Sequence, residues 1–478
     1  MATISSQGIG SGLDVNSIIT QLVALERQPI VQLQGRKEGL QVQLSSYGRV
    51  QSLMDTLRST ARTLTDTSTW RAVSASSGDT SSVTATVSAG TPPGGYTVQV
   101  NALAASQMTA SSALASASTV VGTGTLRIEV GAWNSGFTSF AAKSGTTAVD
   151  ITIGAEDNTL EGIRDRINDT ANLGVRASIV NDASGARLVL RSSITGLENG
   201  FRISVTDDDT DDEDNSGLSR LSYNPPAGAV MSRTQSAANA EAAINGLAVS
   251  SASNEMTDVV DGLSLKLLKT TASAVEVGVT RDTAAMKKSI ESFVDAYNAV
   301  AKLLRDQTKY DEGSKNAGAL QGDRGAIGLQ RQLRSVLGAG SSASSAFERA
   351  FQIGMDVQTD GSIKLKGSTL DAALGNIDQI NAFFSATGPT EAADGLGVRL
   401  RRLADTVLGA DGTLTTQQAG LRQRITRADE RMERLEDRVA QVEKRLRAQY
   451  TALDRTMAGL NGLQGFVTQQ VGAWNRRT

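Results

Sequence analysis

The chain has 478 residues and a formal net charge of −3 at neutral pH, and it contains neither cysteine nor histidine. Its length suits roughly two to four domains. The missing cysteines exclude disulfides and thiolate chemistry, and the missing histidines remove the most common general base and transition-metal ligand. The composition therefore disfavours an enzyme, and we expect no cofactor and no metal site built on cysteine or histidine.

The same composition argues against two further classes of protein. A nucleic-acid-binding protein needs a basic face, which the nearly balanced charge does not indicate. No run of about 18 apolar residues is present, so no transmembrane helix is expected. Residues 1–12 lack the basic and apolar regions of a secretory signal peptide. We expect either a cytoplasmic protein or one that is exported without a cleaved signal.

The first predicted helix spans residues 15–64, where apolar residues recur at helical spacing. Asp14 is the expected N-cap, since its side chain can accept a hydrogen bond from an N–H of the first turn. Pro29 is expected to break or kink the helix near Gln28, because proline has no N–H and its ring clashes with the preceding turn. The pattern thus predicts a short outer helix and a longer inner one.

The middle of the chain has the alternating pattern of β-strands. Residues 71–115 and 238–282 are predicted to form a first β-rich domain, and residues 116–237 a second one inserted into it. A helix is expected around Thr159–Thr170 in the second domain, followed by a hairpin with its turn at Asp182–Gly185. The chain has three tryptophans, Trp70, Trp133 and Trp474. We expect each of them to be a packing anchor or a contact with a partner.

The densest cluster of possible metal ligands is the acidic run Asp207–Asp214. A calcium loop starting at Asp207 would have Asp at its first, third and fifth positions, but it would need Gly at the sixth and Glu at the twelfth. The sequence has Asp212 and Leu218 at those two positions. We interpret the run as a solvated surface loop, with a weak cation site as the alternative.

Helical spacing resumes at residue 283, and further helices are predicted near 325–337 and 369–385. A turn at Asp360-Gly361 separates these two helices. Three arginines farther along the chain, Arg399, Arg401 and Arg402, are expected on an exposed helix face.

The last helix, residues 421–467, has the clearest pattern of the chain. Its apolar residues follow a 4-3 spacing, which keeps one narrow stripe on a slightly underwound helix and predicts a coiled coil. The seam comprises Leu421, Ile425, Met432, Leu435, Val439, Val442, Leu446 and Leu453. A helix roughly 70 Å long cannot bury its stripe against itself. The N-terminal helix is its natural partner.

The predicted fold class is multidomain α+β, with a coiled-coil stalk built from both chain ends and two β-rich domains inserted in the middle. Residues 36–70 and 283–459 form the helical stalk domain. Residues 1–35 and 460–478 are terminal helical segments, which we expect to be mobile when free because they cannot bury their stripes alone. The expected partner-binding residues on these segments are Ile9, Leu13, Ile18, Leu22, Leu25, Leu460, Leu463, Val467 and Val471.

The run from Ile9 to Ile30 closely resembles the opening of the flagellar filament cap proteins, the FliD family of hook-associated proteins. The segment from Gly95 to Gln107 looks like a strand of that family's first β domain. Residues 159–205 resemble the insertion motif shared by flagellin, hook and cap proteins. The segment from Asp360 to Phe384 resembles the family's C-terminal helical region. These motifs follow the family's order along most of the chain.

The resemblance implies a structural protein that is not an enzyme and that forms a homo-oligomeric ring, expected to be a pentamer, at the filament tip. There it would promote ordered insertion of flagellin subunits and prevent their loss. The implied partners are flagellin, hook–filament junction proteins and an export chaperone at the C-terminal helix, with host mucin or glycans as further candidates. The implied location is extracellular, after flagellar type III export without a cleaved signal peptide. No nucleic acid and no membrane insertion is expected.

Three other functions stay open at this point. A hook–filament junction protein or minor flagellin would also use a terminal coiled coil, although the Gly12-Leu-Asp-Val15 opening is not expected there. A surface adhesin could present its β domains to host glycans. An enzyme on the β domains is disfavoured by the missing histidine and cysteine.

Overall fold

The computed structural model describes residues 14–475, apart from 213, 227, 312, 314 and 315. The chain divides into two compact units. The terminal unit contains the residues up to 70 and those from 284 onwards, and the central unit contains residues 71–283. The segment between the two chain ends thus forms a unit of its own, which agrees with the predicted insertion.

The chain begins with two helices, α1 (Val15–Thr65) and α2 (Thr67–Trp70). As predicted, the Asp14 carboxylate caps α1 by accepting a hydrogen bond from the Ser17 N–H at 3.0 Å. The predicted break at Pro29 is wrong, because α1 is one helix of 51 residues with Pro29 inside it. Pro29 is exposed. The lost hydrogen bond therefore lies on the solvent side, while packing of the buried face holds the helix together.

The central unit is built mainly of strands. In chain order its elements are β1 (Val73–Ser77), β2 (Val83–Val87), β3 (Gly94–Ala102), β4 (Met108–Ala110), β5 (Gly124–Trp133), β6 (Phe140–Ala142), β7 (Val149–Ile153), α3 (Leu160–Asp169), β8 (Val175–Asp182), β9 (Gly185–Ser192), β10 (Gly200–Asp207), β11 (Ser232–Gln235), β12 (Ala240–Ile244), β13 (Leu247–Ser251), β14 (Glu255–Val260), β15 (Leu263–Leu267) and β16 (Val275–Arg281).

The first and last strands of this unit form two sheets that share one core. The larger sheet has the order β1-β16-β3-β12-β13, and the smaller has the order β14-β15-β2. Alternate residues of each sheet face the other sheet, including Val98 and Val277 from the larger one and Leu265 from the smaller one. Two antiparallel sheets that bury one face each are stable as a pair.

The inserted strands form a second β structure with its own core. One sheet has the order β10-β5-β6, with β7 also paired to β5, and the other has the order β11-β4-β9-β8. The helix α3 packs Ile163 and Ile167 into the core that the two sheets share. The predicted helix and hairpin of this region are therefore present at the expected positions.

The predicted boundary between the β domains at residues 115 and 116 is wrong. Strand β4 pairs with β9 of the inserted structure, and Leu114 lies in the core of that structure. The chain therefore crosses from the first β domain to the second before Met108. The alternating pattern on both sides of the crossing is the same, so the pattern could not locate it.

The terminal unit continues after the central one. Its elements are α4 (Thr283–Thr308), β17 (Tyr310–Asp311), β18 (Asn316–Ala317), α5 (Arg324–Gly338), β19 (Met355–Val357), β20 (Ile363–Leu365), α6 (Gly367–Ala373), α7 (Ile377–Ser385), α8 (Leu396–Leu408) and α9 (Thr413–Trp474). The predicted α+β class is confirmed.

An aromatic cluster anchors the core of the terminal unit. The ring of Phe384 lies 5.7 Å from that of Trp70, 6.2 Å from that of Phe293 and 5.1 Å from that of Phe383, measured between centroids. The Trp70 indole N–H donates to the Leu64 carbonyl at 2.9 Å. Trp70 is thus a packing anchor, as one of the two predictions for it stated. These contacts join α1, α2, α4 and α7 around one centre.

Candidate functional site: the paired terminal helices

Helices α1 and α9 pack against each other in antiparallel orientation. The Lys37 ammonium lies 2.5 Å from the Asp429 carboxylate, and the Gln418 side-chain amide donates to that of Gln51 at 2.7 Å. A residue later in α1 is thus paired with a residue earlier in α9, which is the pairing of antiparallel helices. The two ends of the chain are therefore joined along one helical hairpin, as the sequence predicts.

The predicted seam of α9 lies largely along this interface. Leu421 and Val439 are buried, Val439 with only 3% exposure. Val439 shares an apolar cluster with Val15, Ile19 and Val23 of α1. The remaining seam residues up to Leu446 are half-buried, and they are Ile425, Met432, Leu435, Val442 and Leu446.

Leu453 does not continue the buried seam, since it is 45% exposed. Tyr450 still packs against the cluster formed by Val15, Ile19 and Val23 at the start of α1. Helix α9 therefore runs on for several turns beyond the level of Val15, up to Trp474. Leu453 marks the point at which the stripe loses its partner among the residues that the structure describes.

The far end of α9 combines exposed apolar side chains with the absence of charge. The large apolar side chains that are exposed there are Leu460, Leu463, Phe466, Val467 and Val471. Residues 456–475 contain no Asp, Glu, Lys or Arg. We call residues 456–474 the distal end of α9. Such a surface favours association with another apolar helix, since burying it removes apolar area from water without desolvating any charge.

The predicted partner-binding residues differ in how far their side chains are exposed to solvent. On α1, Leu22 and Leu25 are exposed, whereas Ile18 is half-buried. On α9 the four predicted residues are all exposed, with Leu463 at 62%. Ile9 and Leu13 lie outside the described residues.

Phe466 is the residue of this surface that sequence reasoning missed. Its side chain is 60% exposed. It does not fit the 4-3 stripe, because it lies one position before Val467 and points to a different side of the helix. The signal that could have identified it is the uncharged segment around it, in which Phe466 and Leu463, three positions earlier, are neighbours on one side of the helix.

In the described part of the chain, no helix is both long and apolar enough to cross a bilayer, and this includes α9 with its distal end. Interleaved glycine, asparagine and glutamine lower its mean hydropathy.

The acidic run Asp207–Asp214 folds back on itself. The buried Asp207 carboxylate accepts the Ser219 N–H at 2.7 Å, and Asp214 accepts the Ser216 N–H at 3.0 Å and the Ser219 hydroxyl at 2.7 Å. In the parts of the chain that are described, no group of three or more acidic residues has a geometry that could hold a metal ion. The run is therefore interpreted as a self-capped surface loop.

The prediction that Arg399, Arg401 and Arg402 share an exposed face is wrong for Arg399, which is only 5% exposed, and for Arg401, which is half-buried. Arg399 lies on α8 against the C-terminal end of α5, and its guanidinium faces the carbonyls of Ala339 and Gly340. The partial negative charge of a helix C-terminus accounts for a cation at this place. Burial lowers the pKa of the Arg399 guanidinium.

Comparison with known proteins identifies the family. Two models described as the N-terminus and the C-terminus of flagellar hook-associated protein 2 match residues 11–107 and 237–462. The chain belongs to the flagellar hook-associated protein 2 family. Between these two segments, the flagellin hook IN motif matches residues 139–193. The family that the motifs of the sequence indicate is thereby confirmed.

Relatives within the flagellar hook-associated protein 2 family match nearly the whole chain. The B-type flagellar hook-associated protein 2 of Pseudomonas aeruginosa is 29% identical and covers 99% of this chain and 98% of its own length. The flagellar hook-associated protein 2 of Escherichia coli K12 is 28% identical, with 98% of each chain covered.

Among solved structures, the D1-D2-D3 domains of the flagellar cap protein FliD from Escherichia coli are similar to this chain. The TM-score is 0.61 at 28% identity, and the match covers 79% of this chain and 99% of that one.

Proposed function

We propose that this protein forms the cap at the tip of a bacterial flagellar filament. It acts there as a structural, non-enzymatic protein that promotes the ordered insertion of flagellin subunits and prevents their loss. Membership of the hook-associated protein 2 family and similarity to a solved flagellar cap protein support this proposal. The junction protein or minor flagellin is not favoured, because the matching models describe hook-associated protein 2 at both ends of the chain.

The observation that carries the proposal is the distal end of α9. It extends beyond the start of the described part of α1 and exposes Leu460, Leu463, Phe466 and Val467 in a segment without charge. The apolar surface of such a helix can be buried when the helices of another protein present a complementary apolar face. In a cap these are helices of flagellin, and the distal end contacts them while the central unit remains independently folded on its own two cores.

The cap is a homo-oligomeric ring, and a pentamer is the expected number. It lies outside the cell at the filament tip and reaches that place through the flagellar export channel without a cleaved signal. An export chaperone covers the apolar distal end of α9 before assembly, and junction proteins are the first partners when the cap forms. Binding of the central unit to host mucin or glycans stays a prediction.

Complementation of a non-motile strain that lacks its own cap protein tests the proposal. A triple variant, Leu460→Ser, Leu463→Ser and Phe466→Ser, is expected to abolish filament growth while the variant is still exported and folded. The matched control is Val31→Ser with Val42→Ser, which removes exposed apolar side chains from α1 and should leave growth intact. Normal filaments from the triple variant would contradict the role of the distal end.

Negative-stain microscopy of the purified full-length protein tests the ring separately. Rings with protruding legs are expected, and a strictly monomeric protein at micromolar concentration would contradict the oligomeric cap. The two experiments separate the proposals, because ring formation and flagellin insertion can fail independently.

A further inference from the structure

A cleft between α5 and α8 contains a buried arginine whose hydrogen bonds are incomplete. The cleft has a volume of about 350 Å³, and its lining includes Gln332, Ser335, Glu391, Arg399, Arg402 and Thr406. We call it the arginine cleft. It lies within the terminal unit, away from the distal end of α9 in sequence, and no step of the proposed cap function uses it.

Arg399 is the buried member of the arginine cleft. Its Nη1 and Nη2 groups donate to the carbonyls of Gly340 and Ala339 over 3.5 and 3.4 Å, which are long hydrogen bonds. Its Nε is buried and has no hydrogen-bond partner among the described residues. Buried donors are nearly always satisfied in native proteins, and a guanidinium has no acceptor of its own to offer in exchange.

Arg402 is the accessible donor of the arginine cleft, since 57% of its side chain is exposed. Its Nη1 donates to the buried Asp394 carboxylate at 2.5 Å, which leaves its other N–H groups for a further acceptor. Asp394 is already occupied, because its second oxygen accepts the Gly388 N–H at 3.0 Å. Neither Asp394 nor any other described residue accepts a hydrogen bond from Arg399 Nε.

The charges of the cleft are balanced, but its hydrogen bonds are not. The two arginines face two carboxylates, Asp394 and the exposed Glu391. Arg399 Nε has no acceptor among the described residues, and the exposed Gln332 amide and Ser335 hydroxyl add further donors to the lining, whereas the Thr406 hydroxyl already donates to the Arg402 carbonyl at 2.9 Å. Because the net charge of the cleft is near zero, a highly charged anion is not favoured there. The unused donors instead favour a singly charged, planar acceptor that can take two hydrogen bonds side by side.

We propose that the arginine cleft binds a single carboxylate group. Arg402 holds one edge of the carboxylate, and a small movement of the Arg399 side chain brings Nε to the same group. The carboxylate is either that of a small free acid or that of an Asp or Glu side chain from a second copy of this chain. Both sources present the same planar acceptor to the two guanidinium groups.

Thermal unfolding of the full-length protein, followed by circular dichroism at 222 nm, tests the binding. Sodium acetate is the probe, and sodium chloride at equal ionic strength and sodium phosphate are the references. We expect acetate to raise the midpoint saturably above both references, because a ligand that binds only the folded state stabilises it. Salts also change stability by strengthening the burial of apolar surface in general, and this effect should be equal in the wild type and in all variants. The difference in midpoint between wild type and variant therefore reports only the binding of acetate.

Variants of the cleft should weaken acetate binding by about tenfold, which corresponds to about 1.4 kcal/mol. Arg402→Gln is the direct variant. Ser335→Ala with Gln332→Leu is the second, because these exposed positions should not affect folding even if the loss of Arg402 does. The control is Arg401→Gln, which removes an arginine of the same helix that donates to Thr65 and does not line the cleft.

Acetate that acts no differently from chloride on the wild-type protein would overturn the proposal, as would equal acetate affinity in the wild type and both cleft variants. Sedimentation equilibrium with and without saturating acetate then identifies the source. Dissociation by acetate supports a carboxylate from a second copy, and an unchanged oligomer supports a free acid. A failure of acetate binding leaves the proposed cap function untouched, because the ring and the insertion of flagellin are tested by separate experiments.

Discussion

The Gln107 side chain and the Phe201 backbone form a closed pair of hydrogen bonds in the core of the inserted β structure. The Gln107 side-chain oxygen accepts the Phe201 N–H at 3.1 Å, and its NH₂ group donates to the Phe201 carbonyl at 2.7 Å. Gln107 has no exposed surface and directly precedes β4, whereas Phe201 lies in β10 of the opposite sheet. The Gln107 amide thus satisfies both backbone groups of Phe201, as a neighbouring strand would, and it links the two sheets by hydrogen bonds.

Gln107→Leu should destabilise the inserted β structure by about 2 kcal/mol, because it leaves the buried Phe201 N–H without an acceptor. The Phe201 carbonyl keeps the Trp133 indole N–H, which donates to it at 3.0 Å. Hydrogen exchange of β5 and β10 peptides in increasing urea measures the loss. Gln235→Leu, at an exposed position of β11, is the matched control and should change the exchange little.

Val439→Asp should melt the hairpin of α1 and α9 at a lower temperature than in the wild type. The substitution places a charge in a site with 3% exposure, where desolvation costs at least about 3 kcal/mol. Leu453→Asp changes the same seam at a position with 45% exposure and should cost well under about 1 kcal/mol. Equal midpoints at 222 nm for the two variants would contradict the interface described for α1 and α9.

Tyr47→Phe should destabilise the terminal unit by about 1.5 kcal/mol, because the buried hydroxyl donates to the Asp323 carboxylate at 2.5 Å. Burial and this carboxylate raise the pKa of Tyr47. Asp323 still caps α5 through the Ala326 N–H, so the helix itself should remain. Tyr297→Phe is the control, since burial raises the pKa of Tyr297 to about 12 but its hydroxyl makes no hydrogen bond to the residues described. Urea midpoints that fall equally for both would contradict a specific role for the Tyr47 hydroxyl.

Asp394→Asn should have a destabilising effect that depends on pH. The Gly388 N–H, and after it Arg402, hold the pKa of the Asp394 carboxyl below its ordinary range. A depressed pKa in the folded state stabilises the protein above the unfolded pKa of about 3.9, and this contribution is lost as the pH falls through the folded value. The difference in urea midpoint between wild type and variant should therefore be constant from about pH 7 to pH 5 and shrink below about pH 4.

The control for this titration is Asp411→Asn, since Asp411 is exposed and forms no ion pair with any described residue. Its difference from the wild type should be small at every pH. A difference for Asp394→Asn that grows as the pH falls would show that the carboxylate does not stabilise the folded state.

Much of the terminal hairpin could be predicted from the sequence because its signals are local or periodic. The Asp14 cap needs only a short polar side chain before an apolar repeat, and the 4-3 spacing around Val439 specifies a narrow stripe without reference to any other part of the chain. The alternating segments likewise predicted the strands of the central unit and the hairpin between β8 and β9.

Only the tertiary structure decided where these signals find their partners. The continuity of α1 through Pro29, the pairing of β4 with β9, the exposure of Leu453 and the burial of Arg399 all depend on contacts between residues far apart in the chain. Periodicity states which face of an element is apolar, but the free energy of burial depends on the surface that meets that face. The sequence by itself therefore determined the elements and the family, and the packing determined which residues remain available to partners.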